Sequence, residues 1–416
     1  MLKNITARLI AMNFLQFFGG GLWLPTIFNY CTITMGWKFD EFGIIYSTMG
    51  IASLFMPTIA GSLADRKFNA EKIYAVFHIL SALALVLSTT ILTPYSFFWV
   101  ILVAMMFYMP TIALSNVISY NALKKEGLDV VKSFPPIRVF GTIGFIAGVL
   151  VTNFTGISTG KEQLIFSGIA GILLGIYSFT LPKCPPSKST VKKGLFDFEA
   201  FKLLKTNKFL LFFLFSMLLG ASLQLTNAYG EGFIKGFGAI KEYTDSFAVR
   251  NSGLIISISQ ISETLFILAI PFFLRRFGIK KVILFSMFAW VLRFGLFAYG
   301  NPVDGLWMII LSNIIYGMAF DFFNISGSLF IETNTDSSIR SSAQGLFMMM
   351  TNGIGAIIGS YFSGLIIANY FTDKTGAPMW QPIWLCFAAY SLVVALLFAV
   401  LFKHKHNPKE LANIQH

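Results

Sequence analysis

Gly61-Ser62-Leu63-Ala64-Asp65-Arg66-Lys67 closes one long apolar stretch of the chain, and Leu274-Arg275-Arg276-Phe277-Gly278-Ile279-Lys280-Lys281 closes another. Both are short basic turns. Asp65 and Arg275 lie 210 positions apart, close to half of a 416-residue chain. Any short cytoplasmic loop of a membrane protein tends to be basic. Two such loops at matching rank and half-chain spacing point further, to two duplicated halves.

Outward from these turns, the chain is a series of apolar stretches. A bilayer-crossing helix needs roughly 20 mostly apolar residues. Twelve stretches qualify, near residues 5–30, 41–63, 72–92, 95–121, 135–157, 162–181, 208–230, 251–274, 281–300, 305–330, 340–370 and 379–402. In lipid the backbone must satisfy its own hydrogen bonds, and the alternation of a barrel strand is missing, so these are helices. The two basic turns follow the second and eighth. The first stretch is too long for a signal-peptide core and lacks a cleavage site, so it reads as a retained span.

One long polar connection interrupts the series. It runs from Pro182 to Asn207 and carries Pro182, Pro185, Pro186 and a run of lysines. The expected organisation is therefore a six-helix bundle over 1–181, a cytoplasmic linker over 182–207, a second six-helix bundle over 208–402, and a cytoplasmic tail over 403–416.

Composition agrees. Hydrophobic residues make up 56% and charged residues 12%, against roughly 45–50% and 25% in soluble domains; mean hydropathy is +0.71. So few charges exclude a soluble enzyme, a disordered chain and a secreted disulfide scaffold. Cys31, Cys184 and Cys386 are odd in number and far apart, which gives no disulfide or metal pattern. No phosphate loop or nucleophile elbow is present.

The net charge of +12 would suggest nucleic acid in a soluble protein. Here its distribution says otherwise. With both termini inside, 23 of the 31 basic residues fall on the cytoplasmic side, six outside, and two, Arg138 and Arg293, within spans. That asymmetry is the positive-inside rule, and no nucleic-acid partner is needed to explain the charge.

Charges inside spans are expensive and mark function by default. Four stand out: Arg138, Glu263, Arg293 and Asp321. Arg138, Thr142 and Phe145 share one helix face; a guanidinium fork there suits a polar ligand or a carboxylate. Gln260 and Glu263 share another face, able to accept from and donate to hydroxyls. Burial disfavours a charged carboxyl, so Glu263 is a candidate for substrate binding, proton coupling or both. Gly220, Gln224 and Asn227 form a third stripe. In the tenth span Tyr316 and Phe320 share a face, with Asp321 and Asn324 beside them. Aromatic faces, amides and a carboxylate suit a flat heterocycle joined to a sugar. Each stripe alone is also what interhelical packing produces. Gln16 and Trp23, Tyr108, Ser115 and Asn116, and Gln344 and Asn352 are open between cavity and packing. Arg293, in the ninth span, and His78, in the third, read as structural, His78 as a hydrogen-bonded core histidine.

The segment ending at Arg66 resembles the G-x-x-x-D-R loop of the major facilitator superfamily, although Phe68, Asn69 and Ala70 replace its later glycine and basic residues. Longer strings are more specific. Phe134-Pro135-Pro136-Ile137-Arg138-Val139-Phe140-Gly141-Thr142-Ile143-Gly144-Phe145, Leu223-Gln224-Leu225-Thr226-Asn227, Ser259-Gln260-Ile261-Ser262-Glu263-Thr264-Leu265-Phe266 and Tyr316-Gly317-Met318-Ala319-Phe320-Asp321-Phe322-Phe323-Asn324-Ile325-Ser326-Gly327 are similar to bacterial nucleoside:proton symporters of that superfamily. The likeness runs almost end to end.

The resemblance implies the major facilitator superfamily fold, an all-α polytopic membrane protein of 12 transmembrane helices in two six-helix halves that alternate access around a midplane site. It implies import of purine and pyrimidine nucleosides with protons across the bacterial inner membrane, with no cofactor beyond the coupling proton, by a transporter rather than an enzyme and as a monomer in the lipid bilayer. It places substrate binding at Arg138, Thr142, Phe145, Gln224, Asn227, Gln260, Glu263, Tyr316 and Phe320, and proton coupling at Asp321 or Glu263. A member preferring one purine nucleoside, such as xanthosine, is a narrower form. A sugar or oligosaccharide symporter would use the same polar groups, and a polytopic membrane enzyme would need a catalytic cluster at a membrane face.

Overall fold

A computed structural model describes residues 5–186, 198–336 and 339–404. Residues 187–197 of the expected linker and 405–416 of the expected tail lie outside the described residues. Among the described residues, nine helices are long and apolar enough to cross a membrane by length and composition. The longest, Ser252–Tyr299, is two spans joined at Gly278, where φ is 77° and ψ 167°. Two further helices, Ile5–Gly21 and Glu162–Ser178, have 17 residues each, about 26 Å of rise at 1.5 Å per residue. Twelve spans result among the described residues.

In chain order they are α1 (Ile5–Gly21), α2 (Phe39–Arg66), α3 (Ala70–Ser88), α4 (Pro94–Lys125), α5 (Val130–Phe154), α6 (Glu162–Ser178) and α7 (Asn207–Gly236). Then come α8 and α9, the arms of Ser252–Tyr299 on either side of Gly278, and α10 (Leu306–Asn334). The eleventh, α11, joins Arg340–Met348, a π-helical turn Met349–Gly355 and Ala356–Tyr370; α12 is Trp380–Leu401. Among the described residues there are no strands, only an isolated bridge between Thr372 and Pro378.

The first stretch departs from its expected bounds. Expected to reach residue 30, α1 stops at Gly21, and short helical segments Ile27–Asn29 and Tyr30–Thr34 follow. Pro25 has no N–H to continue the ladder. In α5 the opposite occurs, with the helix starting at Val130, ahead of Pro135 and Pro136.

The chain divides into two compact units, Met1–Phe196 and Asp197–His416. Both are built by the same pairings. In the first, α1 packs on α5, α2 on α4 and α3 on α6; in the second, α7 packs on α11, α8 on α10 and α9 on α12. Glycine sets the closest of these contacts. A Cβ on Gly144 or Gly148 would lie 2.2 or 2.4 Å from the carbonyls of Phe14 or Phe18 on α1. A Cβ on Gly355 or Gly359 would lie 2.5 or 2.6 Å from those of Met217 or Ala221 on α7. Both pairs are small-residue G-x-x-x-G contacts. Gly144 and Gly355 are 211 positions apart, so the repeat seen in the basic loops extends to the packing.

Outside these seams the helices expose apolar side chains, Leu268 at 76% and Val400 at 72% among them. Contiguous apolar exposure on this scale is a lipid-facing surface. The protein is an all-α membrane protein of the twelve-helix, six-plus-six type.

Candidate functional site

In the first unit, α5 carries Arg138, Thr142 and Phe145, all half-buried. The Arg138 guanidinium lies 4.2 Å from the centre of the Phe17 ring on α1. Gly141 makes room for it, since a Cβ there would sit 2.5 Å from Arg138 Nη1.

Gln16, Tyr108 and His78 prove to be one buried cluster. Tyr74 donates its hydroxyl to Gln16 Oε1 at 2.6 Å, and His78 Nε2 meets the same oxygen at 2.8 Å. Gln16 Nε2 donates to Thr111 Oγ1 at 3.0 Å. A cavity of about 20 Å³, lined by Gln16, Trp23, His78 and Tyr108 among others, lies within this unit; that is room for a water molecule, not a nucleoside. These residues pack α1, α3 and α4 together.

In the second unit, Gln224 and Asn227 stand on α7, Gln260 and Glu263 on α8, and Tyr316, Phe320 and Asp321 on α10. Tyr316 and Phe320 stack with ring centroids 5.7 Å apart and planes 8° from parallel. Trp290 of α9 meets the Tyr316 ring edge-on at 5.9 Å. Such pairs are worth about 0.5–1.5 kcal/mol each beyond area burial, so the two rings form a firm platform.

Gly317, between them in sequence, sets the approach of α8. A Cβ there would lie 2.6 Å from the Ser262 carbonyl and 2.8 Å from the Glu263 nitrogen. The backbone under Glu263 is thus pressed against α10. Glu263 itself is half-buried, whereas Asp321 is buried at 4% exposure. The more deeply buried carboxyl is therefore Asp321.

Three acceptors stand out here. Gln224 Oε1, Gln260 Oε1 and Asp321 Oδ2 are buried and have no hydrogen-bond partner among the described residues. Buried polar atoms are nearly always paired, so these oxygens on α7, α8 and α10 are acceptors that a ligand's N–H and O–H groups could satisfy. The open candidates on α11 do otherwise. Gln344 donates to the Ser328 carbonyl at 2.8 Å, and Asn352 contacts Met348 sulfur on the exposed side.

Several groups escaped the reading of the sequence. Glu231, near the C-terminal end of α7, is 2% exposed and accepts from Ser252 Oγ at 2.5 Å. Glu71, at the start of α3, is 3% exposed and accepts from the Cys184 backbone N–H at 2.7 Å. Both sit where a span meets its loop, so hydropathy gives no sign of their burial. Arg293, which the sequence singles out as a charge within a span, is fully buried, and its guanidinium lies 4.9 Å from the Tyr316 ring centre. Among the described residues no group of three or more His, Cys, Asp or Glu could hold a metal.

Comparison with known proteins follows this geometry. The profile of the family described as nucleoside H+ symporter matches residues 3–407. Xanthosine permease of Escherichia coli K12 is 46% identical over 412 residues, 98% of each chain. Nucleoside permease NupG of the same organism is 44% identical over 407 residues, 97% of each. A crystal structure of nucleoside transporter NupG superposes with a TM-score of 0.91 at 44% identity, covering 97% of this chain and all of that one. These relatives are permeases and transporters, not enzymes. With the match spanning nearly every residue, the chain belongs to the nucleoside H+ symporter family.

Proposed function

We propose that this protein imports nucleosides together with protons by alternating access. Arg138, Thr142, Phe145, Gln224, Asn227, Gln260, Glu263, Tyr316 and Phe320 are the proposed substrate contacts. The stacked Tyr316 and Phe320 rings take the base; the amides and Glu263 take ring nitrogens and ribose hydroxyls. Asp321 is the proposed coupling carboxyl, with Glu263 assisting at the substrate. Coupling uses these side chains and a proton, with no cofactor.

The observation that carries this reading is the pair of buried, unpartnered amide oxygens, Gln224 Oε1 and Gln260 Oε1, on helices of the unit that holds the stacked rings. A nucleoside supplies both the donors for such oxygens and a flat surface for such rings. Family membership supports the proton as coupling ion. The 46% identity to a xanthosine permease supports purine nucleosides among the substrates. The excess of cytoplasmic Lys and Arg supports a bacterial inner-membrane protein with both termini cytoplasmic, and the repeat within one chain supports a monomeric working unit.

The test is uptake of labelled uridine, adenosine and xanthosine into right-side-out vesicles with an inward proton gradient. Accumulation above the outside concentration, abolished by a protonophore and competed by unlabelled nucleosides, is expected. Competition by sugars alone would replace this reading with a sugar symporter.

A further inference from the structure

Arg293 of α9 is fully buried, and among the described residues it forms no ion pair. A charge held this way is expensive unless its donors are used. They are. Nε donates to Thr226 Oγ1 of α7 at 3.4 Å, Nη1 to the Ser312 carbonyl of α10, and Nη2 to Asn313 Oδ1 of α10 at 3.4 Å. Ser312 returns its hydroxyl to the Arg293 carbonyl at 3.0 Å. Asn313 Oδ1 also accepts from Ser259 Oγ of α8 at 2.7 Å. The guanidinium plane covers Phe297 at 4.8 Å and Tyr316 at 4.9 Å.

The arms of this network end beside the proposed substrate contacts. Thr226 immediately precedes Asn227, and Ser259 immediately precedes Gln260. Tyr316 is touched directly and in turn stacks on Phe320. On a helix, fixing one side chain fixes the rotation of its neighbour. The three helices that bring substrate contacts from this unit are thereby tied to one planar, always-charged fork, whose geometry lysine does not share.

We propose that Arg293 is a positioning residue for substrate recognition: it holds the Tyr316 ring and the rotation of α7 and α8 so that Asn227, Gln260 and the aromatic pair meet the ligand together. The proposal rests on the reading that these residues bind a nucleoside.

The experiment measures nucleoside binding and thermal unfolding on the purified full-length protein in nanodiscs, with uridine, adenosine and xanthosine as probes. Failure of the unaltered protein to bind any of the three would sink the function reading itself, ahead of any variant. With binding established, Arg293→Lys is expected to raise Kd about tenfold, roughly 1.4 kcal/mol, in protein that still unfolds cooperatively. Adding Arg293→Lys to Tyr316→Ala is expected to cost less than the tenfold seen in the unaltered background, because part of the effect of Arg293 passes through Tyr316 and the rest through α7 and α8. A purely structural role would lower the unfolding temperature and leave Kd unchanged. That result, or losses that multiply in the double variant, overturns the proposal. If Arg293→Lys does not fold, Thr226→Val and Ser259→Ala each cut one arm; both binding like the unaltered protein would overturn it as well, and a severalfold weakening in both would support it.

Discussion

A methyl group on Gly317 would lie 2.8 Å from the backbone nitrogen of Glu263. This contact joins the helix of the aromatic pair to the helix of the carboxylate with no side chain between. Overpacking a filled seam costs about 1–3 kcal/mol. Gly317→Ala must push α8 away from α10 and carry Gln260 and Glu263 with it. The expected result is a lower unfolding temperature and a raised KM for nucleoside uptake. An unchanged KM in a destabilised but folded protein would show that the approach of the two helices is not what sets the substrate contacts.

The turn between α11 and α12 gives a pH prediction outside the membrane. Asp373 Oδ1 accepts from Thr375 Oγ1 at 2.6 Å, from the Ala377 N–H at 3.0 Å and from the Thr375 N–H at 2.8 Å. The Thr375 hydroxyl first, then these backbone donors, hold the Asp373 carboxyl below the usual carboxylate range. A depressed folded value means the turn is favoured above the unfolded value, about 3.9, and loses that support as the pH falls through the folded value. Hydrogen exchange at the Thr375 and Ala377 amides should therefore show protection at pH 6 that declines in acid. Asp373→Asn keeps an acceptor but cannot titrate, so its protection is expected to lack the acid step.

The span count and the duplicated halves were legible because hydropathy over 20 residues survives any detail of packing. Each of the twelve helices overlaps its expected stretch, with the clearest departures at α1, where Pro25 ends the helix early, at α5, which starts at Val130, and at α7, which runs on to Gly236. The G-x-x-x-G seams were present in the sequence as Gly144/Gly148 and Gly355/Gly359, but spacing alone does not say which partner helix they meet. At the site, the stripes of Gln260 with Glu263 and Tyr316 with Phe320 were readable because each lies on one helix. The contacts of Arg293 were not, since they come from Thr226, Ser312, Asn313 and Tyr316 on two other helices. A helix at a peripheral rank can still aim one long side chain inward, and only the tertiary structure shows which.

His78 offers a control on the route of the proton. It is buried in the first unit, and its Nε2 shares Gln16 Oε1 with the Tyr74 hydroxyl. With Tyr74 still donating, His78→Phe removes one of two bonds to that oxygen, a net loss on the order of 1 kcal/mol. The expected outcome is a modestly lower unfolding temperature with the pH dependence of nucleoside uptake unaltered. A shifted uptake profile would bring His78 into the coupling path and contradict its assignment as packing.

Asp321 and Glu263 are separated by their surroundings. Asp321 is almost fully buried with Oδ2 unpartnered, and Glu263 is only half-buried. A carboxyl that must change charge during a transport cycle gains most from a site where burial opposes the charge, and one that binds hydroxyls needs access to them. Asp321→Asn holds the first group neutral. It is expected to retain nucleoside binding and counterflow exchange while losing accumulation driven by a proton gradient. Glu263→Gln is expected to weaken binding by about 1.5–3 kcal/mol, the range for a hydrogen bond to a charged group, and to keep a measurable accumulation ratio at saturating nucleoside. The two variants must be compared in the same vesicles, at one proton gradient and over a range of nucleoside concentrations. Gradient-driven accumulation surviving in Asp321→Asn but lost in Glu263→Gln would exchange the two assignments.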